Sequence, residues 1–199
     1  NKLSFTITSV GYSKKIIYRN QSNVNNDIYV TGNLGDSFIG LQVLKNKIKL
    51  NKSKTKYFIN KYYMPDIQNK FSKNLLSLAT STMDISDGLI TDLNKLINKQ
   101  NFSYKIYEKL IPVSRNLNNL INSKNLKKID LVSNGDDYQI LFTAKPNKAR
   151  IIKNLSKSLG VKISKIGTIL SGKNKSLILD QKGREIAINV DGYIHQFWS

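Results

Sequence analysis

TMDISDGLITDLNKL, residues 82–96, sets Asp84, Ser86 and Asp87 between apolar residues just ahead of a glycine. Leu89, Ile90, Leu93, Leu96 and Ile97 recur at helical spacing, which predicts a helix over 87–99 that begins near Gly88. The residues before it, 82–85, read as a short strand, so the stretch is a strand-to-helix turn. Asp87 falls at the N-cap position, where a carboxylate satisfies orphan N–H groups and is worth about 1 kcal/mol. Capping leaves Asp84 unexplained. It stands at the end of an apolar strand, where a charge is costly without a partner. Two carboxylates three residues apart across a tight turn can converge on one point. A hard divalent cation such as Mg²⁺ takes oxygen ligands there, and the adjacent helix N-terminus offers N–H groups to a phosphate. The turn therefore reads as a metal–phosphate corner.

Working outward, LSFTITSVGY (3–12) and KIIYR (15–19) have strand chemistry around a turn at 11–13, and SNVNND is a polar linker. IYVTG is a short strand, and GDSFIGLQVLKNKI is the helix after it, with Phe38, Leu41, Leu44 and Ile48 on one face. Helices are expected at about 54–63, 67–80 and 114–129. FSYKIYEKLI and DYQILFTA are strands, NKARIIKNLSKSLG a helix, and KISKIGTIL and SLILD strands. Strands and helices mix without strict alternation, which indicates an α+β fold and a mixed sheet with packed helices.

The chain has 199 residues, 40% of them hydrophobic, enough for a real core. No window approaches the ~18 consecutive apolar residues of a membrane helix, and the start, NKLSFTITSV, lacks the order of a signal peptide. Cysteine is absent, which excludes disulfides, thiolate zinc sites and cysteine nucleophiles. The expectation is a soluble, cytoplasmic protein. Its net charge of +19 invites a nucleic-acid reading. Yet only four of the 32 basic residues are arginine, and the lysines are scattered among Asn, Ile and Ser. Base readout needs a patch, not a total, so neither a nucleic-acid nor a membrane partner is expected.

Two further glycine-bearing turns stand out. SNGDDYQILFTA places Asp136 and Asp137 at the mouth of a buried strand after a strong Asn134–Gly135 turn, which taken alone reads as an ordinary loop into a strand. VTGNLGDS combines Gly32 and Gly35 in a strand-to-helix turn, with Asp36 or Ser37 available as a cap. GTILSGKN (167–174) nearly spells a P-loop, but Asn174 stands where the metal-binding hydroxyl belongs and strand chemistry follows it. His195 is the only histidine, and no Ser-His-Asp relay can be built on it.

MDISDGLITDL, NGDDYQILFT, IYVTGNLGDSFIGL and the terminal DGYIHQF occur in the order and spacing seen in thiamine-monophosphate kinases. The chain resembles that family, within the superfamily of aminoimidazole-ribonucleotide synthetase and selenophosphate synthetase, from residue 1 to the end. The resemblance implies ATP- and Mg²⁺-dependent phosphorylation of thiamine monophosphate to thiamine diphosphate, by an enzyme that is a homodimer when complete. It implies Asp84 and Asp87 as magnesium ligands, Ser86 and Arg19 as nucleotide contacts, and Asp136 and Tyr193 as substrate contacts. Asp136 stands where the family usually has a glutamate, Asn134 replaces a glycine, and Met64 and Ile67 occupy positions that are usually basic. The chain starts where the family's second half starts. Residues 1–22 would then be residual strands of a truncated N-terminal domain, and 23–199 a C-terminal α+β domain.

The expected chemistry suits these residues. A phosphate acceptor is already anionic, so no general base is required, and the task is to bring two polyanions together in line. Carboxylates for metal and an arginine fork for phosphate would do this without a catalytic histidine or cysteine. A different reading is a catalytically dead remnant that serves as a ligand-binding or interaction module. A basic RNA-binding domain ranks behind both.

Overall fold

The computed structural model describes residues 5–98 and 100–187. Six strands form one sheet in the order β2-β4-β1-β5-β3-β6. They are β1 (Asp27–Thr31), β2 (Ala79–Asp84), β3 (Phe102–Tyr107), β4 (Ile140–Ala144), β5 (Ile163–Ser171) and β6 (Leu177–Leu179). The pairings are antiparallel except β3 with β6, which is parallel, so the sheet is mixed as the sequence indicates.

β1 is buried along its whole length, as expected for a central strand covered on both faces. Its alternation divides the core. Ile28 and Val30 join Leu89, Leu93 and Leu96 of α5 (Leu89–Leu96) and Val132 of α7 (Lys128–Val132) on one face. Tyr29 points to the other, where it stacks on Phe142 with ring centroids 5.2 Å apart. That face is closed by Phe71, Leu75 and Leu78 from two short helices, α3 (Asn69–Ser72) and α4 (Leu75–Leu78), and by Ile152 of α8 (Ala149–Leu159). A third cluster joins α1 (Asp36–Leu44), α2 (Lys52–Tyr63) and α6 (Arg115–Lys124) through Ile39, Phe58, Leu117 and Leu120.

Several expectations are corrected. Residues 5–26 contain no strand. Phe5, Ile7, Val10 and Tyr12 are each at least 81% exposed, and β-branched chemistry alone cannot make a strand without a ladder partner. The helix expected over 67–80 is two single turns running into β2, and that over 114–129 breaks at Asn125, which turns left-handed at φ 49°. In α1 the buried face carries Ile39 and Gly40, not Phe38, Leu41 and Leu44. A Cβ on Gly40 would strike the Phe58 carbonyl, so α1 and α2 approach backbone to backbone along that face. Finally, α5 is capped by Gly88, not by Asp87. The near-P-loop runs from β5 through a turn into β6, with no helix after it.

Candidate functional site

The ends of β1, β2 and β4 bring the three glycine-bearing turns together. Main-chain bonds fuse the two acidic loops: Ile85 N–H donates to Gln139 O (2.9 Å), Tyr138 N–H to Ile85 O (2.9 Å), and Asp136 N–H to Ser86 O (3.0 Å). No side chain fits between them. A Cβ on Gly135 would collide with Ser86 O, and one on Gly88 with Ser133 O. Gly88 also sits at φ 117°, which L-residues rarely adopt. The third turn is tied in by Asp137, whose Oδ2 accepts the Gly35 N–H at 2.7 Å.

The turn quoted at the outset is organised by a residue that the sequence reading passed over. Asp92 is fully buried, and its Oδ2 accepts the backbone N–H groups of Ser86 (2.9 Å), Asp87 (2.9 Å) and Gly88 (3.2 Å). Lys95 Nζ reaches back along α5 to Asp92 Oδ1 (3.0 Å) and also binds Asp87 Oδ2. Burial alone would lower the Lys95 pKa; its bonds to Asp87 and Asp92 outweigh this and leave it raised. The signal was present in the sequence. Asp92 lies among Leu89, Leu93 and Leu96 on the apolar stripe, and an acid there must find donors.

A pocket of about 700 Å³ opens beside this corner. Ser86 and Asp87 line it from one loop, Asn134, Gly135, Asp136 and Tyr138 from the other. Phe38, Leu41 and Lys45 of α1 and its C-cap, with Tyr62 of α2, complete the wall, so the first two residues of the α1 stripe reach this cavity while Phe38 and Ile48 also pack on the third cluster. Asp136 and Tyr138 both hold positive φ, 69° and 50°, a strained pair flanking the buried Asp137. Burial raises the Asp136 pKa, with a further push from the Asp87 charge.

Of the residues singled out in the sequence, Ser86, Asp87 and Asp136 share this pocket. Asp84 ends β2 but is exposed, so the cost of burying it does not arise, and it is not among the lining residues. Arg19 is exposed too. Its neighbour Asn20 donates its N–H to Leu96 O at the far end of α5, about 12 Å of helix from the site. Tyr193 and His195 lie outside the described residues. Among those described, no three acidic or histidine side chains cluster as a ready metal cage.

Asp36 caps nothing. It is buried beside a separate small polar cavity, accepting hydrogen bonds from Ser114 Oγ (2.7 Å) and Tyr57 Oη (2.8 Å). Burial raises its pKa, and burial pushes that of Asp137 up to about 8, helped by the Asp36 charge.

The family model described as AIR synthase related protein, C-terminal domain, matches residues 23–180. The chain belongs to this family. Its resemblance to thiamine-monophosphate kinases also holds. The protein of that name from Buchnera aphidicola of Acyrthosiphon pisum is 32% identical over 192 residues, covering 91% of this chain and 59% of the relative. The Escherichia coli protein is 30% identical over 169 residues, covering 84% and 51%. This chain thus spans between half and three-fifths of these relatives. Among solved structures, thiamine-monophosphate kinase from Stenotrophomonas maltophilia has a TM-score of 0.72 at 22% identity, over 85% of this chain and 54% of that one. AaThiL complexed with AMPPCP and TMP gives 0.73 at 23%, over 90% and 54%. The likeness establishes the α+β architecture. Among the described residues no helix is long and apolar enough to cross a membrane.

Proposed function

We propose that this chain is the C-terminal part of a thiamine-monophosphate kinase that transfers a phosphoryl group from ATP to thiamine monophosphate with Mg²⁺. The observation that carries the reading is the fusion of the two acidic loops around one pocket, with Ser86, Asp87 and Asp136 on its wall. The kinases of the same name among its relatives, and the TMP and AMPPCP held by the AaThiL neighbour, support it. In this reading Asp87 and Asp84 ligate magnesium, Ser86 and Arg19 contact the nucleotide, and Asp136 and Tyr193 hold the thiamine moiety. The complete protein works as a cytoplasmic homodimer, residues 1–22 belong with an N-terminal domain, and 23–199 form the domain described above.

The donor set suits magnesium: hard oxygens on a fixed turn, one of which already holds a cation, the Lys95 ammonium. Magnesium would supply neutralisation of phosphate charge at Asp87. The chain's own share is positional. Asp92 pins Ser86 and Asp87 through their N–H groups, Gly88 and Gly135 permit the loops to touch, and the apolar wall of α1 excludes water from one side of the pocket. No side chain need remove a proton, because the acceptor oxygen is anionic near neutral pH.

The chain alone contributes too few carboxylates to hold the magnesium ions that neutralise two polyanions, so residues 1–199 are expected to bind thiamine monophosphate without turning it over. Titration with thiamine monophosphate, followed by amide shifts of Gly135, Asp136 and Tyr138, checks the pocket. Adding a family N-terminal half with ATP and Mg²⁺ and separating thiamine diphosphate by chromatography checks the reaction. Binding without any product in the reconstituted mixture would favour the ligand-binding remnant, and absence of shifts would remove the substrate assignment.

A further inference from the structure

We propose that Lys95 is a resident counter-cation of Asp87, which a divalent ion must displace and which Asp92 then retains. The inference rests on the reading of Asp87 as a metal ligand and concerns how access to it is set. Lys95 is half-exposed, whereas the Asp87 side chain is largely covered. A helical side chain leans towards its own N-terminus, so the long lysine stem lies along α5 and brings Nζ to the turn. There it bonds Asp87 Oδ2 and Asp92 Oδ1 together. A metal ion and an ammonium carry the same sign of charge and want the same carboxylate lone pairs, so they compete.

The geometry makes the exchange local. Asp92 divides its two oxygens: Oδ2 is filled by three main-chain N–H groups, and Oδ1 faces the ammonium. When Lys95 leaves Asp87 it keeps its bond to Asp92 Oδ1. Only the lysine head shifts. The turn that presents Ser86 and Asp87 stays pinned, and the buried Asp92 is never left without its cation, which would be the costly event. Asp87 is therefore kept neutralised until a divalent ion arrives, at the expense of affinity for that ion.

The test is metal binding without turnover. Mn²⁺ is titrated into the 199-residue chain, and paramagnetic broadening of the Ser86, Asp87 and Gly135 amides is followed by NMR. Lys95→Met should bind Mn²⁺ about tenfold more tightly than the parent, Lys95→Arg should stay within twofold of it, and Asp87→Asn should abolish the broadening in every background. In the unaltered chain, Mg²⁺ should move the Lys95 Cε resonance with the same midpoint as the Asp87 amide, a measurement that needs no variant to fold. If Mn²⁺ broadens the corner equally in parent and Lys95→Met, or if the Lys95 resonance stays still while the Asp87 amide moves, the counter-cation role is wrong and the metal reading stands. If Mn²⁺ leaves these amides sharp in all variants, both fall.

Discussion

The segment 5–19 and the corner formed by 84–92 and 133–139 present opposite chemistry and opposite outcomes. The first is rich in Phe, Ile, Val and Tyr, yet it has no regular structure and its apolar side chains, Ile17 apart, are exposed. The second is crowded with carboxylates and glycines, yet Ile85, Gly88, Asp92, Ser133, Asp137 and Gln139 in it are buried and its loops are bonded main chain to main chain. What separates them is supply of partners. A strand needs a second strand to take its N–H and C=O groups, and none is offered to 5–19 among the described residues. The corner carries its own: Asp92 for three N–H groups, Lys95 for two carboxylates, and two glycines that let the loops meet. Ordering follows satisfied backbone groups more closely than it follows apolar content.

Three tests break or sharpen that contrast. Among the substitutions the largest loss is expected from Gly135→Ala, whose new methyl group would meet the Ser86 carbonyl, a backbone atom that cannot swing aside. A loss of about 3 kcal/mol in urea unfolding is expected, against less than about 0.5 kcal/mol for Tyr12→Ala in the exposed segment. Comparable small losses at both positions would erase the distinction. Next is charge. Folding raises the Asp137 pKa from 3.8 to about 8, so between those values the folded chain holds a proton that the unfolded chain has released. Stability from this group falls as pH rises through that window, by up to about 1.4 kcal/mol per unit, and the loss is complete above about pH 8. Asp36, Lys61 and Asp66 line the same small polar cavity and modulate the slope. Asp137→Asn keeps an acceptor for Gly35 N–H and should flatten the slope, becoming more stable than the parent at pH 8 in urea melts at pH 5, 6.5 and 8. A parallel pair of pH profiles would show that the carboxyl is ionised throughout. The smallest effect is expected from removing residues 1–16, which stops short of Ile17, packed on the Tyr29–Phe142 cluster. The melting temperature should move by no more than about 2 °C. A larger drop would mean that the segment is held by contacts its exposure does not reveal.

Most elements were legible because their periods are clean. β1, β4, β5 and α8 stand where alternation and the 3.6-residue repeat put them. The α+β class was legible as well, whereas the meeting of Ser86, Asp87 and Asp136 on one pocket wall comes from the assembled loops. Side-chain polarity could not reveal which face of α1 would meet α2, because Gly40 selects that face by admitting the Phe58 carbonyl. Nor could it reveal that Gly88 would cap α5, since Asp87 is a good cap by type and is diverted by Lys95. Asp84 looked expensive only on the assumption that the end of β2 is covered, and exposure is a property of the assembled sheet, not of the strand. Asp92 was missed because an acid inside a helix is ordinarily solvated.

The wedge between the loops also bears on how the protein ages. Asn134–Gly135 is the one asparagine–glycine pair in the chain, the sequence most prone to spontaneous deamidation. That reaction closes a five-membered succinimide when the glycine nitrogen attacks the asparagine side-chain carbonyl. Here the Asn134 amide donates to Asp130 O at 2.6 Å, and Gly135 is clamped against Ser86. The ring cannot close without prising the loops apart. Conversion to isoaspartate and aspartate at 134 is thus a chemical clock that runs only while the corner is open, and mass spectrometry of stored protein reads the time it has spent that way.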